Sequence, residues 1–572
     1  MEKFRKVLKG DGVSLGIARA NSYLYEPSEL MTSPIPFEEG MEQKYLQQLE
    51  ETLMAAKEEL WGIYAQMMEE QQENSGIFMS HQAILEDESL IEEIQQEILK
   101  NHAYPDRAIR LVMDRHIDAF CQAEDTLLAE RAGDLRDVQK RLIRIWQGKP
   151  DHNLRDIKED VIIVAYDLLP SEIAGLSQEH VKGIVTEIGG ETSHCAILAR
   201  CYGIPAVLGV KHAMRRVGEN TPLILDALAG EVLVWPTSED EIRYQHKMER
   251  FLQQYESERQ YLEQPAETKD GTEVQIGINL GTEEIAAEDS WYDYVGLLRS
   301  EFLYMNRGSV PTEEEETEAY KKVLLQAAGK MVTIRTLDLG GDKMIDGLEM
   351  VQEVNPALGL RGIRLCRKNP KLFEAHVRAL LKASVYGKMR IMFPMVTGID
   401  DIRWAKSMVR QVMKELDEGN IPYDKEIELG AVLETPAICE IADLVAEEVD
   451  FASIGTNDLV QYLCGVDRNH SGASSYYQTY NPAVLRVLSH TIEMFNRKGK
   501  FIGVCGEMAG QPLGAKLLVG LGARNLSMDV GNVAAVKASL SQTTLKDLVK
   551  QAQMCKNLRT EEEVKAFCGI DV

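Results

Sequence analysis

Two stretches, Glu428-Leu429-Gly430-Ala431-Val432-Leu433-Glu434-Thr435-Pro436 and Phe451-Ala452-Ser453-Ile454-Gly455-Thr456-Asn457-Asp458, decide how this chain is read. Each is a short, mostly apolar run of strand length that stops abruptly at polar side chains, and a helical segment separates the two. The pattern recurs. Eight β-type runs follow one another in the C-terminal half: Val274 to Leu280, Tyr294 to Leu298, Met331 to Thr336, Met389 to Met395, Glu428 to Leu433, Phe451 to Gly455, Phe501 to Cys505 and Asn525 to Met528. Helical segments separate almost all of them. Strands alternating with helices in this number predict a (β/α)8 barrel over residues 265–572.

In such a barrel the chemistry sits where the strands end. Here the second run ends in Leu298-Arg299-Ser300-Glu301, the third in Ile334-Arg335-Thr336-Leu337-Asp338 and the fifth in Leu433-Glu434. The sixth ends in Gly455-Thr456-Asn457-Asp458 and the seventh in Val504-Cys505-Gly506-Glu507. Arg299 and Arg335, with Arg361 and Arg468 from nearby loops, offer planar forks for phosphate and carboxylate oxygens. Glu434 and Asp458 are hard oxygen ligands suited to Mg²⁺, with substrate oxygens completing the shell. Two carboxylates at ~4 Å repel by about 1 kcal/mol in water and about 4 at an effective dielectric of 20, so the metal and the arginines must reverse that sign before an anion can bind. Cys505 is either an ordinary buried cysteine or a proton-transfer group.

Working back along the chain, short apolar strands and alternating helices also fill residues 148–236, which with residues 1–25 predict a compact α/β domain. Within it the stretch Gly189-Gly190-Glu191-Thr192-Ser193-His194-Cys195-Ala196-Ile197-Leu198-Ala199-Arg200 follows a β-type run and passes into a helix. His194 falls at the junction, where unpaired N–H groups and the helix dipole favour an anion by ~0.3–1 kcal/mol. Thr192 or Ser193 can cap that helix. This points to a histidine that carries a phosphoryl group. Residues 26–147 have few glycines and carry Leu46, Leu49, Leu53 and Leu60 at helical spacing, which predicts an all-α bundle inserted into the α/β domain, with turns near Tyr104-Pro105 and Ala132-Gly133. Residues 237–264 are highly charged and predict a connecting helix.

Composition narrows the partners. The 63 Lys and Arg against 91 Asp and Glu leave a formal charge of −28. A chain this acidic repels nucleic acid and anionic membrane surfaces and steers a basic protein partner towards it. The nine cysteines show no C-x-x-C pair or zinc spacing, as in a reduced cytoplasmic protein. No signal region and no uncharged run of membrane-spanning length is present, so no membrane insertion is expected.

Taken together these motifs resemble the phosphoenolpyruvate–protein phosphotransferases, the Enzyme I family of bacterial phosphotransferase systems. The matching stretches are G-G-E-T-S-H-C-A-I-L-A-R at 189–200, G-L-L-R-S-E-F-L-Y-M at 296–305, R-T-L-D-L-G-G-D-K at 335–343 and N-P-A-L-G-L-R-G-I-R at 355–364. They continue with E-T-P-A at 434–437, S-I-G-T-N-D-L-V-Q-Y at 453–462 and V-C-G-E-M-A-G at 504–510, while H-Q-A-I-L-E-D-E at 81–88 and E-R-A-G-D-L-R-D-V at 130–138 mark the bundle. The resemblance implies that His194 takes the phosphoryl group of phosphoenolpyruvate on Nε2 and passes it to a histidine of the phosphocarrier protein HPr, the first step of sugar uptake by this route. It implies that Arg299, Arg335, Asn457, Asp458 and Arg468 bind phosphoenolpyruvate, that Glu434 and Asp458 hold Mg²⁺, and that Cys505 protonates the enolpyruvate. It also implies a homodimer through the barrel and HPr docking on the helical bundle.

Because His194 and the arginines fall in different domains, the α/β domain must swivel, with hinges expected near Gly148 and Trp235-Pro236. Glu191 stands where the family most often has arginine, which changes how the charge of a phosphohistidine is balanced. The nearest enzymatic alternative, a dikinase-like user of phosphoenolpyruvate, needs an ATP-binding domain of a few hundred residues for which this chain has no room. A non-catalytic regulatory paralogue that binds HPr-like partners is disfavoured by the intact set His194, Arg299, Arg335, Glu434, Asp458 and Cys505.

Overall fold

The computed structural model describes all residues except 1–3, 26–31, 34, 36, 70–80, 83, 123–125, 150–153, 155–156, 169–171, 174–175, 177–178, 191–193, 283–284, 286–290, 305–309, 341–354, 469–470 and 570–572. The chain divides into two compact units, Met1–Gln253 and Gln254–Val572.

The first unit is built on an eight-stranded sheet in the order β1-β8-β7-β3-β4-β5-β6-β2. Its strands are β1 (Lys6–Lys9), β2 (Asp11–Ser14), β3 (Ile17–Tyr25), β4 (Val161–Ala165), β5 (Val181–Thr186), β6 (Ala206–Leu208), β7 (Pro222–Asp226) and β8 (Glu231–Val234). β3 to β6 pair in parallel and the flanking strands antiparallel. β1 and β2 lie at opposite edges although only Gly10 separates them. A Cβ on Gly10 would sit 2.4 Å from the Leu208 carbonyl, so only glycine lets the edges meet there.

Between β3 and β4 the chain leaves the sheet and forms α1 (Glu42–Glu69), α2 (Glu88–Asn101), α3 (Pro105–Gln122) and α4 (Thr126–Trp146), the expected inserted helical section. Of the leucines at helical spacing, Leu49, Leu53 and Leu60 are buried and Leu46 is half-buried, with Tyr45 taking the core position instead. No turn interrupts the chain at Ala132-Gly133: α4 runs straight through, since a single glycine costs a helix only about 1 kcal/mol. Sheet and bundle share a core, because β4 alternates as a strand must: Ile163 packs with Leu49, Ile109 and Val138, while Ile162 and Val164 face the opposite layer with Leu225 and Val232. Between β5 and β6 lies α5 (His194–Cys201), beginning at the histidine as expected.

The connecting helix is α6 (Ser238–Arg259). Its first turns belong to the sheet. Arg5 grips Asp240 at 2.6 and 2.9 Å, Arg19 grips Glu241 at 2.9 Å, and Tyr244 and Met248 pack on Ile17, Ile224 and Leu233. The division between units falls inside this helix, beyond those anchors. Among the described residues no helix is long and apolar enough to cross a membrane.

The second unit is the expected barrel. Eight parallel strands close on themselves in the order β10-β11-β12-β13-β14-β15-β16-β9. They are β9 (Gln275–Leu280), β10 (Tyr294–Arg299), β11 (Val332–Arg335), β12 (Met389–Phe393), β13 (Glu428–Leu433), β14 (Phe451–Ile454), β15 (Phe501–Val504) and β16 (Asn525–Met528). All eight sequence runs became strands, because a strand buried on both faces must be continuously apolar. The N-terminal end of the barrel is filled by Arg390, whose guanidinium stacks on Phe501 at 4.0 Å and Phe451 at 4.2 Å and donates to Thr333 Oγ1 at 2.8 Å.

Lys537 fastens the chain entering the barrel. Its buried ammonium donates to the carbonyls of Leu262 (2.7 Å), Gln264 (3.0 Å) and Trp291 (3.0 Å), using all three of its protons. Lys537→Met keeps the stem but removes every donor, so the urea midpoint of the barrel should fall by the equivalent of about 1–3 kcal/mol. An unchanged midpoint would show that water replaces the ammonium without loss.

Candidate active site

Parallel register brings the strand ends level. Arg299 at the end of β10 pairs with Arg335 at the end of β11. Leu433 pairs with Ile454, and Ile454 with Val504, so Glu434, Gly455 and Cys505 follow at one height. Two neighbouring arginines repel unless acids stand between them, and the fold supplies those acids. Glu301 contacts Arg335 directly, and Arg335 Nη1 lies 3.0 Å from Asp338 Oδ2. Asp338 is held in turn by Arg361 in a two-pronged contact of 2.9 and 3.2 Å. The other arm of Arg361 donates to Asp458 at 3.0 Å, and Arg468 lies 4.0 Å beyond on Asp458 Oδ2. Acid and base alternate along one line, largely buried from Glu301 to Asp458 and ending on the exposed Arg468: Glu301, Arg335, Asp338, Arg361, Asp458, Arg468.

Arg361 reaches this line through backbone geometry. Gly340 and Arg361 form an isolated β-bridge, and Gly362 N–H donates to Leu339 O at 2.9 Å. Gly362 has φ +57°, and a Cβ there would lie 2.8 Å from that of Met395, so glycine is needed next to the arginine. The preceding turn is fixed by Tyr462, whose hydroxyl donates to Ala357 O at 2.5 Å.

Glu434 stands apart from the line. It is 1% exposed and accepts a 2.6 Å bond from Met395 N–H, a residue held at φ +56°. Its other oxygen lies across Gly455, 2.7 Å from where a Cβ would be. Among the described residues no lysine or arginine comes within ion-pair distance of it. Burial first, then repulsion from Asp458 and Asp338, push its carboxyl up to about 8, against the partial relief of Arg335 and Arg361. Arg335 and Arg361 keep their charge: burial opposes it, and the surrounding carboxylates outweigh burial.

Cys505 is buried over an apolar cluster of Leu297, Met392, Val432 and Phe451. Its sulfur lies 3.7 Å from Ile454 O. Burial raises its thiol pKa, opposed by a Ser453 hydrogen bond and by Arg335 and Arg299, so the sulfur carries its proton at neutral pH. Next to it, Thr456 Oγ1 occupies the space a Cβ on Gly506 would take.

Of the residues expected from sequence, Arg335, Arg361, Asp458 and Arg468 are joined directly, with Glu434 and Cys505 in the same electrostatic neighbourhood. Arg299 is exposed beside Arg335. Asn457 is paired with Glu507: its amide donates to Glu507 Oε1 and accepts from Glu507 N–H, each at 2.8 Å. His194 opens α5 in the other unit, and Glu191, Thr192 and Ser193 lie outside the described residues. Glu301 and Asp338 do not stand out as site residues from sequence position alone. The available signal was that a buried arginine at a strand end requires a carboxylate nearby.

Several buried polar atoms in this region have no protein partner: Arg335 Nε, Thr336 Oγ1, Thr456 Oγ1 and Glu301 Oε2. The guanidinium N–H of Arg335 and the two threonine hydroxyls are unsatisfied donors of the kind that suit an anionic ligand, whereas the Glu301 oxygen can only accept. The four arginines 299, 335, 361 and 468 stand among the carboxyl groups 301, 338, 434 and 458, of which Glu434 holds its proton at neutral pH, so the small positive excess does not by itself neutralise a multiply charged anion. Among the described residues no cluster of three or more His, Cys, Asp or Glu can hold a metal by itself. The carboxylates fit a hard divalent ion that shares its shell with substrate, and Glu434 and Asp458 are the acids that would hold it.

Three family signatures match the chain: PEP-utilising enzyme, N-terminal, over residues 9–131; PEP-utilising enzyme, mobile domain, over 157–230; and PEP-utilising enzyme, PEP-binding domain, over 255–545. The chain is 37% identical over 563 residues to the phosphoenolpyruvate-protein phosphotransferase of Bacillus subtilis (strain 168), covering 98% of each. It is 38% identical over 565 residues to that of Geobacillus stearothermophilus, covering 98% of this chain and 97% of the relative. The same enzyme of Listeria innocua serovar 6a is 39% identical over 565 residues, with 98% of each covered.

Glu434 binds its proton more tightly in the fold than in the unfolded chain, where its value is near 4.5. Its contribution to stability is therefore complete below that value and is lost as pH rises towards about 8. Glu434→Gln cannot ionise, so in chelator-containing buffer its Tm advantage over the parent should grow between pH 5 and pH 8.5, by roughly 2 °C or more. A difference that stays constant with pH would show that Glu434 does not titrate there.

Proposed function

The chain belongs to the PEP-utilising enzymes as a phosphoenolpyruvate–protein phosphotransferase, and we propose that it works through a phosphohistidine at His194, charged at the barrel and discharged on a histidine of the phosphocarrier protein HPr. The observation that carries this reading is the balanced line of arginines and carboxylates at the strand ends with Arg335 Nε, Thr336 Oγ1 and Thr456 Oγ1 left for a ligand.

In this reading Arg299, Arg335 and Arg468 take phosphoryl and carboxylate oxygens, with Arg361 fixed behind them by Asp338 and Asp458. Asn457 braces the rim through Glu507 and turns to substrate only if that pair opens. Glu434 and Asp458 would hold Mg²⁺, which when bound would offset the negative charge of the substrate. The bond between phosphorus and the enol oxygen breaks as a bond to His194 Nε2 forms. Positioning and charge neutralisation do most of the work in such a transfer. The enolate left behind takes a proton on its methylene carbon from the Cys505 thiol, giving pyruvate, and the thiolate regains a proton from solvent.

His194 belongs to one unit and the barrel to the other, and in this reading the histidine visits the barrel to be charged and the helical bundle to be discharged, which calls for a swivel. The Arg5–Asp240 and Arg19–Glu241 pairs bind the start of α6 to the sheet. They support a swivel in the last turns of α6 rather than at Trp235-Pro236, because motion there would break both pairs. The helical bundle is the proposed HPr platform, and the acidic chain suits a basic carrier. A homodimer through the barrel and a cytoplasmic location complete the reading. Sedimentation of the full chain with and without Mg²⁺ and phosphoenolpyruvate tests the dimer.

Incubation with phosphoenolpyruvate labelled in its phosphoryl group should give an acid-labile label that maps to His194. His194→Ala should take no label while still binding phosphoenolpyruvate, and pyruvate formation at the normal rate by that variant would defeat the assignment. Cys505→Ala should bind phosphoenolpyruvate nearly as well and turn over ~10²–10⁴-fold more slowly. A loss of less than threefold would make Cys505 a packing residue.

A further inference from the structure

The C-terminal helices bring two cysteines together behind the barrel. Cys555 ends the helix Leu545–Cys555 and is fully buried, and Cys568 follows the helix Glu561–Phe567 and is half-buried. Their sulfurs are 3.5 Å apart. We propose that Cys555 and Cys568 are a reversible dithiol–disulfide site, in which Cys568 is the attacking sulfur and Cys555 the resolving thiol.

The two sulfurs are not equivalent. Cys568 Sγ accepts a 3.3 Å hydrogen bond from Gln551 Nε2 and faces the Cys555 thiol. Two donors on one sulfur stabilise its thiolate. In keeping with this, the Cys555 hydrogen bond, helped by Gln551 and Lys516 and opposed by burial, brings the Cys568 thiol down to about 7. Cys568 is also the one within reach of solvent. This separation of roles, an accessible thiolate in front of a buried thiol, is what stepwise thiol–disulfide exchange requires.

The reaction balances with a small disulfide R–S–S–R as oxidant. Cys568 thiolate attacks one of its sulfurs, forming Cys568–S–S–R and releasing RS⁻. Cys555 then loses its proton and attacks Cys568 Sγ, forming the protein disulfide and releasing the second RS⁻. Two electrons pass from the protein thiols to the small disulfide, and excess small thiol reverses both steps. Closing 3.5 Å to the ~2.05 Å of a disulfide needs side-chain rotation of the kind a helix end and the residues after a helix permit.

The pair has a route to the barrel rim. Glu561, at the start of the second helix, accepts a 2.8 Å bond from Tyr480 N–H, and the Tyr480 hydroxyl bonds Gln511, which follows the helix Glu507–Gly510. Oxidation would therefore tie down the helix whose Glu561 holds Tyr480.

The full chain, equilibrated in graded glutathione and glutathione disulfide, acid-quenched, alkylated and mapped by mass spectrometry, tests this. The parent protein should yield a Cys555–Cys568 linked peptide that dithiothreitol abolishes, with Cys505 still reduced. Cys555→Ser should instead collect one glutathione on Cys568, and Cys568→Ser should leave Cys555 unmodified. In the parent at pH 7, iodoacetamide should label Cys568 about tenfold faster than an ordinary thiol of pKa ~8.5, with a midpoint near pH 7. The parent result does not depend on either variant folding. No linked peptide in glutathione disulfide alone, a linked peptide that forms only in urea, or glutathione settling first on Cys555 would each overturn the proposal.

Discussion

Asp338 holds two guanidinium groups at once, and the site depends on that contact. Arg335 and Arg361 come from different parts of the chain, one from the end of β11 and one from a loop returning to it, and their like charges face each other across a single carboxylate. A buried ion pair gains little over an apolar replacement of the same shape, whereas removing one partner leaves a stranded charge costing about 3–5 kcal/mol. The line from Glu301 to Arg468 is therefore poorly explained as a stabilising device. It fits a different purpose, which is to hold positive charge rigidly in a dry place where a phosphoryl group can use it. Each arginine is aimed by a carboxylate, so little reorganisation remains when the substrate arrives.

Room for those side chains comes from glycine. Gly455 lets Glu434 lie across its backbone, Gly506 accepts the Thr456 hydroxyl, and Gly362 takes a left-handed turn against Met395 so that Arg361 can face inward. The strands beneath leave no slack, since parallel register levels Glu434, Gly455 and Cys505 and buried residues fill the barrel. At its other end Arg390 is surrounded by rings and a threonine, with a single acid, Glu428, 4.0 Å away among the described residues, and it serves packing. The contrast between the two ends follows the general asymmetry of such barrels, chemistry where strands finish and stability where they start.

Charge on the whole chain and charge in the site have been kept separate. The protein carries −28 overall, yet at the strand ends arginines 335 and 361 are held among the acids by direct ion pairs. An anionic substrate is repelled at long range and accepted at short range, while a basic protein partner is attracted throughout. The phosphoryl group is thus small-molecule cargo at one unit and protein cargo at the other. α6, anchored to the sheet over its first turns, links the two.

Much of this was legible in the sequence because it is local. All eight barrel strands, the helix beginning at His194 and the inserted helical section follow from periodicity, since a buried strand or an amphipathic helix must carry its apolar residues at fixed spacing. The identities of Arg299, Arg335, Glu434, Asp458 and Cys505 followed from their position just past those strands. Contacts between residues distant in sequence did not. Nothing local shows that Asp338 serves Arg335 and Arg361 together, that Glu301 neutralises Arg335, or that Asn457 turns to Glu507. Nor does it show that β1 and β2 part to opposite edges at Gly10, or that Cys555 meets Cys568. The helix through Gly133 was misread as a turn because its weak local preference is overridden by packing. The sequence alone determined which elements form and which chemical groups stand at their ends, because backbone hydrogen bonding and apolar burial are satisfied element by element. Only the tertiary structure decided which charges pair, which carboxyl is buried away from them and which thiols touch, because those energies arise when distant elements share one desolvated space.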